Sequence, residues 1–425
     1  MQRRTFLLAT GQAFAVALAA PTLRTSVRDQ QSQPSIAELE QRVASVLQAF
    51  DSQGNHRTGT AVDKQSAEWL TREVRRLGIE PSLEPFTLSR VDPQLTYVRI
   101  ENRRIDGIPM FDSGFTGADG VTGGLGPLGS DAEIGLAERS AEMVGNIAEL
   151  DVLARARRSR HKAVILITGA NRPGLFLSNA STFLNPSGPP ILQVSNVESA
   201  WLQRYGQQGT SATLVAHVKR TSAQAINITV TIPGRDPSLA PLVVMAPRSG
   251  WWQCVSEQGS RILCWLEIMR SLAAAKPRRA CHFVALSGHE LGFMGMAPYL
   301  TRREEMIRRA EAWVFLGSDI GQPGQPNLIH ASDESLEQWL VTALAKQGLP
   351  VDAKGEHSAT ARGETAAIQR GGGRFVTLAC ASSVFHSVGD RWPESVDVSL
   401  LARYARAVSD GVVGLAEHGA PILPA

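Results

Sequence analysis

"ALSGHELGFMG", residues 285–295, closes the apolar run that starts at Phe283 and places the pair His289–Glu290 directly behind a Ser-Gly step. A short apolar run that ends in Ser-Gly reads as a buried strand giving way to a turn. The helix-borne zinc pattern H-E-x-x-H needs a second histidine at its fifth position, and that position here is Phe293. The pair therefore stands at the end of a strand. In open α/β sheets, sites collect outside the carboxyl ends of the strands.

Outward from this point the chain alternates. "AINITVTIPG", "PLVVMAP", "RACHFVALSG", "WVFLGSDIG" and "RFVTLACA" read as strands. "SRILCWLEIMRSLAAA", "MAPYLTRREEMIRRAEA", "DESLEQWLVTALAKQG" and "SVDVSLLARYARAVSDGVVGLAEH" read as helices. Such alternation predicts an α/β sheet with helices on its faces. Upstream, Ser35 and Glu38 form a capping box ahead of Ile36, Leu39, Val43, Leu47 and Phe50 at helical spacing. A second amphipathic helix stops at Gly78, and "LEPFTLS" follows as a strand. Between about residues 96 and 221 glycine and proline become frequent, around the strand-like "KAVILITG" and "PPILQVS". This stretch reads as an inserted β-rich lobe. Residues 35–95 and 222–420 then make one discontinuous α/β domain.

The chain has 425 residues and a formal net charge of +3. That charge predicts no attraction to nucleic acid. Residues 1–20 carry Arg3 and Arg4 ahead of an apolar stretch and a small-residue pattern at Ala17 and Ala19, which resembles a twin-arginine export signal. Its removal, followed by a polar linker over 21–34, predicts an exported protein with no stable membrane span. Cys254, Cys264, Cys281 and Cys380 include no C-x-x-C pair. Either disulfides or buried thiols satisfy that spacing.

"NHRTGT", "AEWLTREVRRLGI", "FVALSGHELGFMG" and "FHSVGDRWPESVD" occur in this order. Together they resemble the family-28 metallopeptidases of the bacterial leucyl-aminopeptidase type. The resemblance implies a zinc-exopeptidase-type three-layer sandwich with a mixed, mostly parallel sheet. It also likens the inserted lobe to a protease-associated domain. The family's chemistry uses two zinc ions about 3.5–4 Å apart to activate a water for attack on an N-terminal peptide bond.

The resemblance transfers unevenly. In "APRSG", Pro247 and Ser249 take the places of a ligand histidine and an aspartate. Proline has no donor atom for a metal. The bridging carboxylate falls on Glu257, the second aspartate on Ser318 or Asp319, and the final histidine on His386. In "GHE", His289 replaces the catalytic glutamate and Glu290 keeps the ligand position. Glu257, Glu290 and His386 correspond to the three ligands that related glutaminyl cyclases give to a single zinc. The set leaves room for one zinc and speaks against two. His289 is the candidate base, since imidazole titrates near ~6.5, although it also serves simply to fill the vacated space. Glu364, Trp251 and Trp252 are candidate substrate contacts, and Asp390 and Glu394 shape the loop beyond His386. The leading expectation is an aminopeptidase-like protein with a degraded centre that binds peptide or protein N-termini. The alternative is a remodelled single-zinc hydrolase or cyclase.

Overall fold

The computed structural model describes residues 34–140, 147–169 and 172–418. The export segment and nearly all of the linker lie outside the described residues. The helix Ile36–Asp51 starts where the capping box predicts: the Ser35 hydroxyl accepts the Glu38 N–H, and the Glu38 carboxylate accepts the Ser35 N–H. Its buried face is Leu39, Val43, Leu47 and Phe50.

The core of the sheet is parallel. Strand Leu242–Pro247 lies between Cys281–Leu286 and Ala312–Leu316, parallel to both, and Phe375–Cys380 joins Ala312–Leu316 in the same sense. Side chains alternate across the sheet. Val244 and Ala246 face one apolar cluster, whereas Val243 and Met245 face another. The first cluster is covered by the helices Ile36–Asp51, Ser260–Ala275 and Val398–Glu417. The second is covered by Met296–Thr301 and Thr365–Arg370. Both faces are therefore buried, which is why these strands read as unbroken apolar runs. The result is the expected three-layer α/β sandwich with a mixed sheet.

Two long strands carry the sheet onward. Ser82–Ile100 and Ser211–Ile232 pair antiparallel from Ser82↔Thr229 to Ile100↔Ala212, with one irregularity between Pro93 and Leu95. The changes of texture near residues 95 and 222 fall inside these strands. Beyond them the sheet continues through Val121–Pro127, Ile134–Ser140, Ala163–Gly169 and Ile191–Ser195, which run parallel to one another. Separate apolar clusters form there.

Some elements differ from the expectation. The single helix read in "MAPYLTRREEMIRRAEA" is two short ones, Met296–Thr301 and Met306–Arg309. Arg302 and Arg303 lie in the break and both reach Glu84. A strand not read from the sequence, Asn327–Ala331, adds antiparallel to Phe375–Cys380. All four cysteines are free thiols and buried. Among the described residues, no helix is long and apolar enough to cross a membrane.

Candidate functional site

Because the core strands are parallel, the segments after Pro247, Leu286, Leu316 and Cys380 leave the sheet at one rim. After Leu286 the chain makes a single 3-10 turn, His289–Leu291, flanked by Gly288 at φ 93° and Gly292 at φ 70°. Both lie in the left-handed region that favours glycine. The turn sends His289 and Glu290 to different partners.

Glu290 is fully buried. One carboxylate oxygen accepts the Thr58 N–H at 2.7 Å, and the other accepts the Ser249 hydroxyl at 2.9 Å. The Ser249 oxygen in turn accepts the Gly288 N–H at 2.8 Å and the Thr58 hydroxyl at 3.0 Å. Burial pushes the Glu290 carboxyl above the usual range, against these hydrogen bonds. Arg248 turns away from the rim. Its guanidinium binds Asp63 Oδ1 at 2.7 Å and the Ile226 carbonyl at 2.6 Å, with both charged side chains almost wholly buried.

A second group forms around Glu257, which sits on a π-helical turn, Val255–Gly259, ahead of the helix Ser260–Ala275. Such wide turns recur at functional sites. His386 Nε2 lies 3.4 Å and His289 Nε2 3.8 Å from Glu257 Oε1. The Nδ1–H of His289 donates to Glu364 Oε1 at 2.9 Å, and that of His386 to the Leu177 carbonyl at 2.7 Å. Burial raises the Glu257 carboxyl, but His386, His289 and Arg261 outweigh it and hold the group at about 2.

Asp390 supports this turn from below, accepting the N–H groups of Ser256 and Glu257 at 2.7 and 3.0 Å. It thus caps a helix from a distant loop. Asp319 accepts the Ser256 hydroxyl at 2.8 Å. Burial, then the carboxylates of Asp390 and Glu257, push its carboxyl well above the usual range. Several buried polar atoms here have no hydrogen-bond partner: Glu257 Oε2, Asp319 Oδ2, Glu364 Oε2, His386 Nε2 and Arg261 Nη1.

Residues 176–180 cover the rim. The backbone of Leu177 exchanges bonds with His386, the Ala180 N–H donates to the Glu290 carbonyl at 2.8 Å, and Trp251 Nε1 donates to Asn179 Oδ1 at 3.0 Å. Trp252 Nε1 donates to the His386 carbonyl at 3.0 Å. Of the residues singled out in the sequence, His289, His386, Glu257 and Glu364 lie in one neighbourhood, whereas Glu290 bonds to Thr58 and Ser249. Sequence reasoning gave no signal for Thr58, Arg261 or the covering segment, which act through backbone geometry or from distant positions.

No family model matches the sequence, and no curated protein is similar to it. Solved structures are similar over most of the chain. A zinc aminopeptidase from Bacillus subtilis superposes with a TM-score of 0.73 at 18% identity, covering 92% of this chain and 98% of its own. A peptidase M28 precursor from Shewanella amazonensis SB2B gives 0.72 at 15%, covering 92% and 97%. An aminopeptidase from Aneurinibacillus sp. strain AM-1 gives 0.69 at 16%, covering 92% and 98%. The chain has the fold of the family-28 metallopeptidases.

The residues at its rim do not fit that family's two-zinc group. Pro247 presents no donor, Ser249 presents a hydroxyl that is already bound to Glu290, and Glu290 has both oxygens engaged. Among the described residues, no three His, Cys, Asp or Glu side chains converge closely enough to hold a metal ion.

Proposed function

We propose that this chain is an exported aminopeptidase-like protein whose two-zinc centre has been dismantled, and that it binds peptide or protein N-termini without cleaving them by the two-zinc route. Residues 1–20 are its export signal, and residues 96–221 its protease-associated-like insert.

One observation carries the reading: each oxygen of the Glu290 carboxylate accepts a hydrogen bond, from the Thr58 N–H and from the Ser249 hydroxyl. In the family pattern the same side chain is a zinc ligand, and Ser249 stands where an aspartate belonged. The substitution converts a metal-facing carboxylate into a structural acceptor. Binding of an N-terminus is supported by the unpartnered Oε2 atoms of Glu257 and Glu364, which flank His289. An α-ammonium offers three donors to such a set. These groups are buried, so entry requires the segment at Leu177 and Ala180 to move aside.

A second reading, a single-zinc hydrolase or cyclase, has one specific observation behind it. His289 and His386 both turn Nε2 toward Glu257 while Nδ1 is fixed by an acceptor, the habit of metal-bound histidines. Titration of the metal-free chain with zinc, alongside release of N-terminal residues from several aminoacyl substrates, separates the readings. The first expects peptide binding without turnover. Zinc-dependent turnover abolished by Glu257→Ala and His386→Ala establishes the second.

A further inference from the structure

Outside the rim, a cavity of about 370 Å³ lies between residues 55–62 and the tryptophan pair. That is the size of a pocket for one small molecule. Phe111, Leu177, Trp251 and Trp252 form apolar walls, and Asn55, Arg57 and Thr60 are the polar residues among its lining. Both indole N–H groups are spent elsewhere, on Asn179 and on the His386 carbonyl, so the rings offer the cavity only apolar surface.

Arg57 is held in place before any ligand arrives. Its Nη2 donates to Asp92 at 2.9 Å and to the Val91 carbonyl at 3.1 Å, and its guanidinium carbon lies 5.3 Å from the centre of the Phe111 ring. Its Nε and Nη1 have no acceptor among the described residues. Asp92 is shared, because Arg90 binds the same carboxylate through two further hydrogen bonds at 2.8 and 3.0 Å. Two guanidinium groups thus share the Asp92 carboxylate, and the charge of the buried Glu290 also acts on Arg57. The cavity combines flat apolar walls with an ordered guanidinium that has donors to spare.

We infer that this cavity is a binding site for a small organic carboxylate with an aromatic or branched aliphatic body. The body packs against the indole faces and the carboxylate pairs with Arg57, a charge-assisted contact that an amide cannot match. An amine is disfavoured by the same cation. The site adjoins the rim, since Trp252 and Leu177 both contact His386. The inference does not rest on the reading of the rim, because Arg57, Phe111 and Trp252 are not among the groups that reading uses, although Leu177 is shared between the cavity wall and the cover over the rim.

Calorimetric titration of the full chain with phenylacetate and indole-3-acetate, against the two corresponding amides, tests it. The expected result is saturable one-to-one binding, with each acid tighter than its amide by about tenfold or more. Arg57→Gln, shown folded by its melting curve, brings the acid down to the affinity of the amide, and Trp252→Ala weakens both. Should Arg57→Gln fail to fold, the acid-to-amide ratio of the unmodified chain still decides. Absence of binding, equal affinity for acid and amide, or an acid preference that survives in folded Arg57→Gln overturns the inference.

Discussion

His289 donates its Nδ1–H to Glu364 Oε1 at 2.9 Å, which leaves the ring's other nitrogen facing Glu257 Oε1 at 3.8 Å. An ionised carboxylate only accepts, so Nδ1 carries a proton, and any neutral form of the ring is the Nδ1–H tautomer. Long-range nitrogen–proton spectra should report that tautomer for His289. In Glu364→Ala the restraint is gone, and the spectrum should move toward the other tautomer. An unchanged pattern would show that Glu364 does not set the ring.

The Arg248–Asp63 pair is the second test. The two side chains are 1% and 2% exposed and meet at 2.7 Å. Removing one partner strands a buried charge, at a cost of about 3–5 kcal/mol. Arg248→Met and Asp63→Asn should each lower urea stability by that order. The double variant should lose less than the sum, because neither charge is then orphaned. Strict additivity would contradict the pairing.

Asp390 predicts a pH dependence. Burial raises its carboxyl to about 6, against the hydrogen bonds from Ser256, Glu257 and Ser395. An unfolded aspartate titrates near ~3.9. Between these values the folded state holds the extra proton, so this group's contribution to stability falls as pH rises from about 4 to about 6. Asp390→Asn cannot titrate. The stability of the native chain minus that of the variant should therefore decline across this window in urea unfolding, and a flat difference would refute the assignment.

Gly292 tests the covering segment. Its φ is 70°, and an added Cβ would stand 2.7 Å from the Ser181 carbonyl oxygen and 3.2 Å from that of Ala180. Gly292→Ala combines left-handed strain of about 1–2 kcal/mol with that clash. Amide exchange at Leu177 and Ala180 should accelerate, while the helix Ser260–Ala275 keeps its protection. Uniform acceleration would mean general destabilisation instead.

The layers of the fold were legible because strands buried on both faces, such as Leu242–Pro247, leave an unbroken apolar signature. The strand Asn327–Ala331 was missed because its alternating burial over so few residues gives a weak pattern. The helix read across residues 296–312 failed because Arg302 and Arg303 serve Glu84 rather than a continuous turn. At the rim, the identities of Pro247, Ser249 and His289 announced a changed site. What the changes built was not legible. The bond from the Thr58 backbone to Glu290 spans distant parts of the chain and depends on no side-chain identity at Thr58.

Metal content decides the account most directly. Purified chain, exposed to excess zinc and then passed over a desalting column, should retain no stoichiometric zinc by elemental analysis. Glu290→Ala should lose folding stability, since the Thr58 N–H and the Ser249 hydroxyl lose their acceptor. One zinc per chain, released by Glu290→Ala or His386→Ala, would contradict the claim that Glu290 has become a structural acceptor.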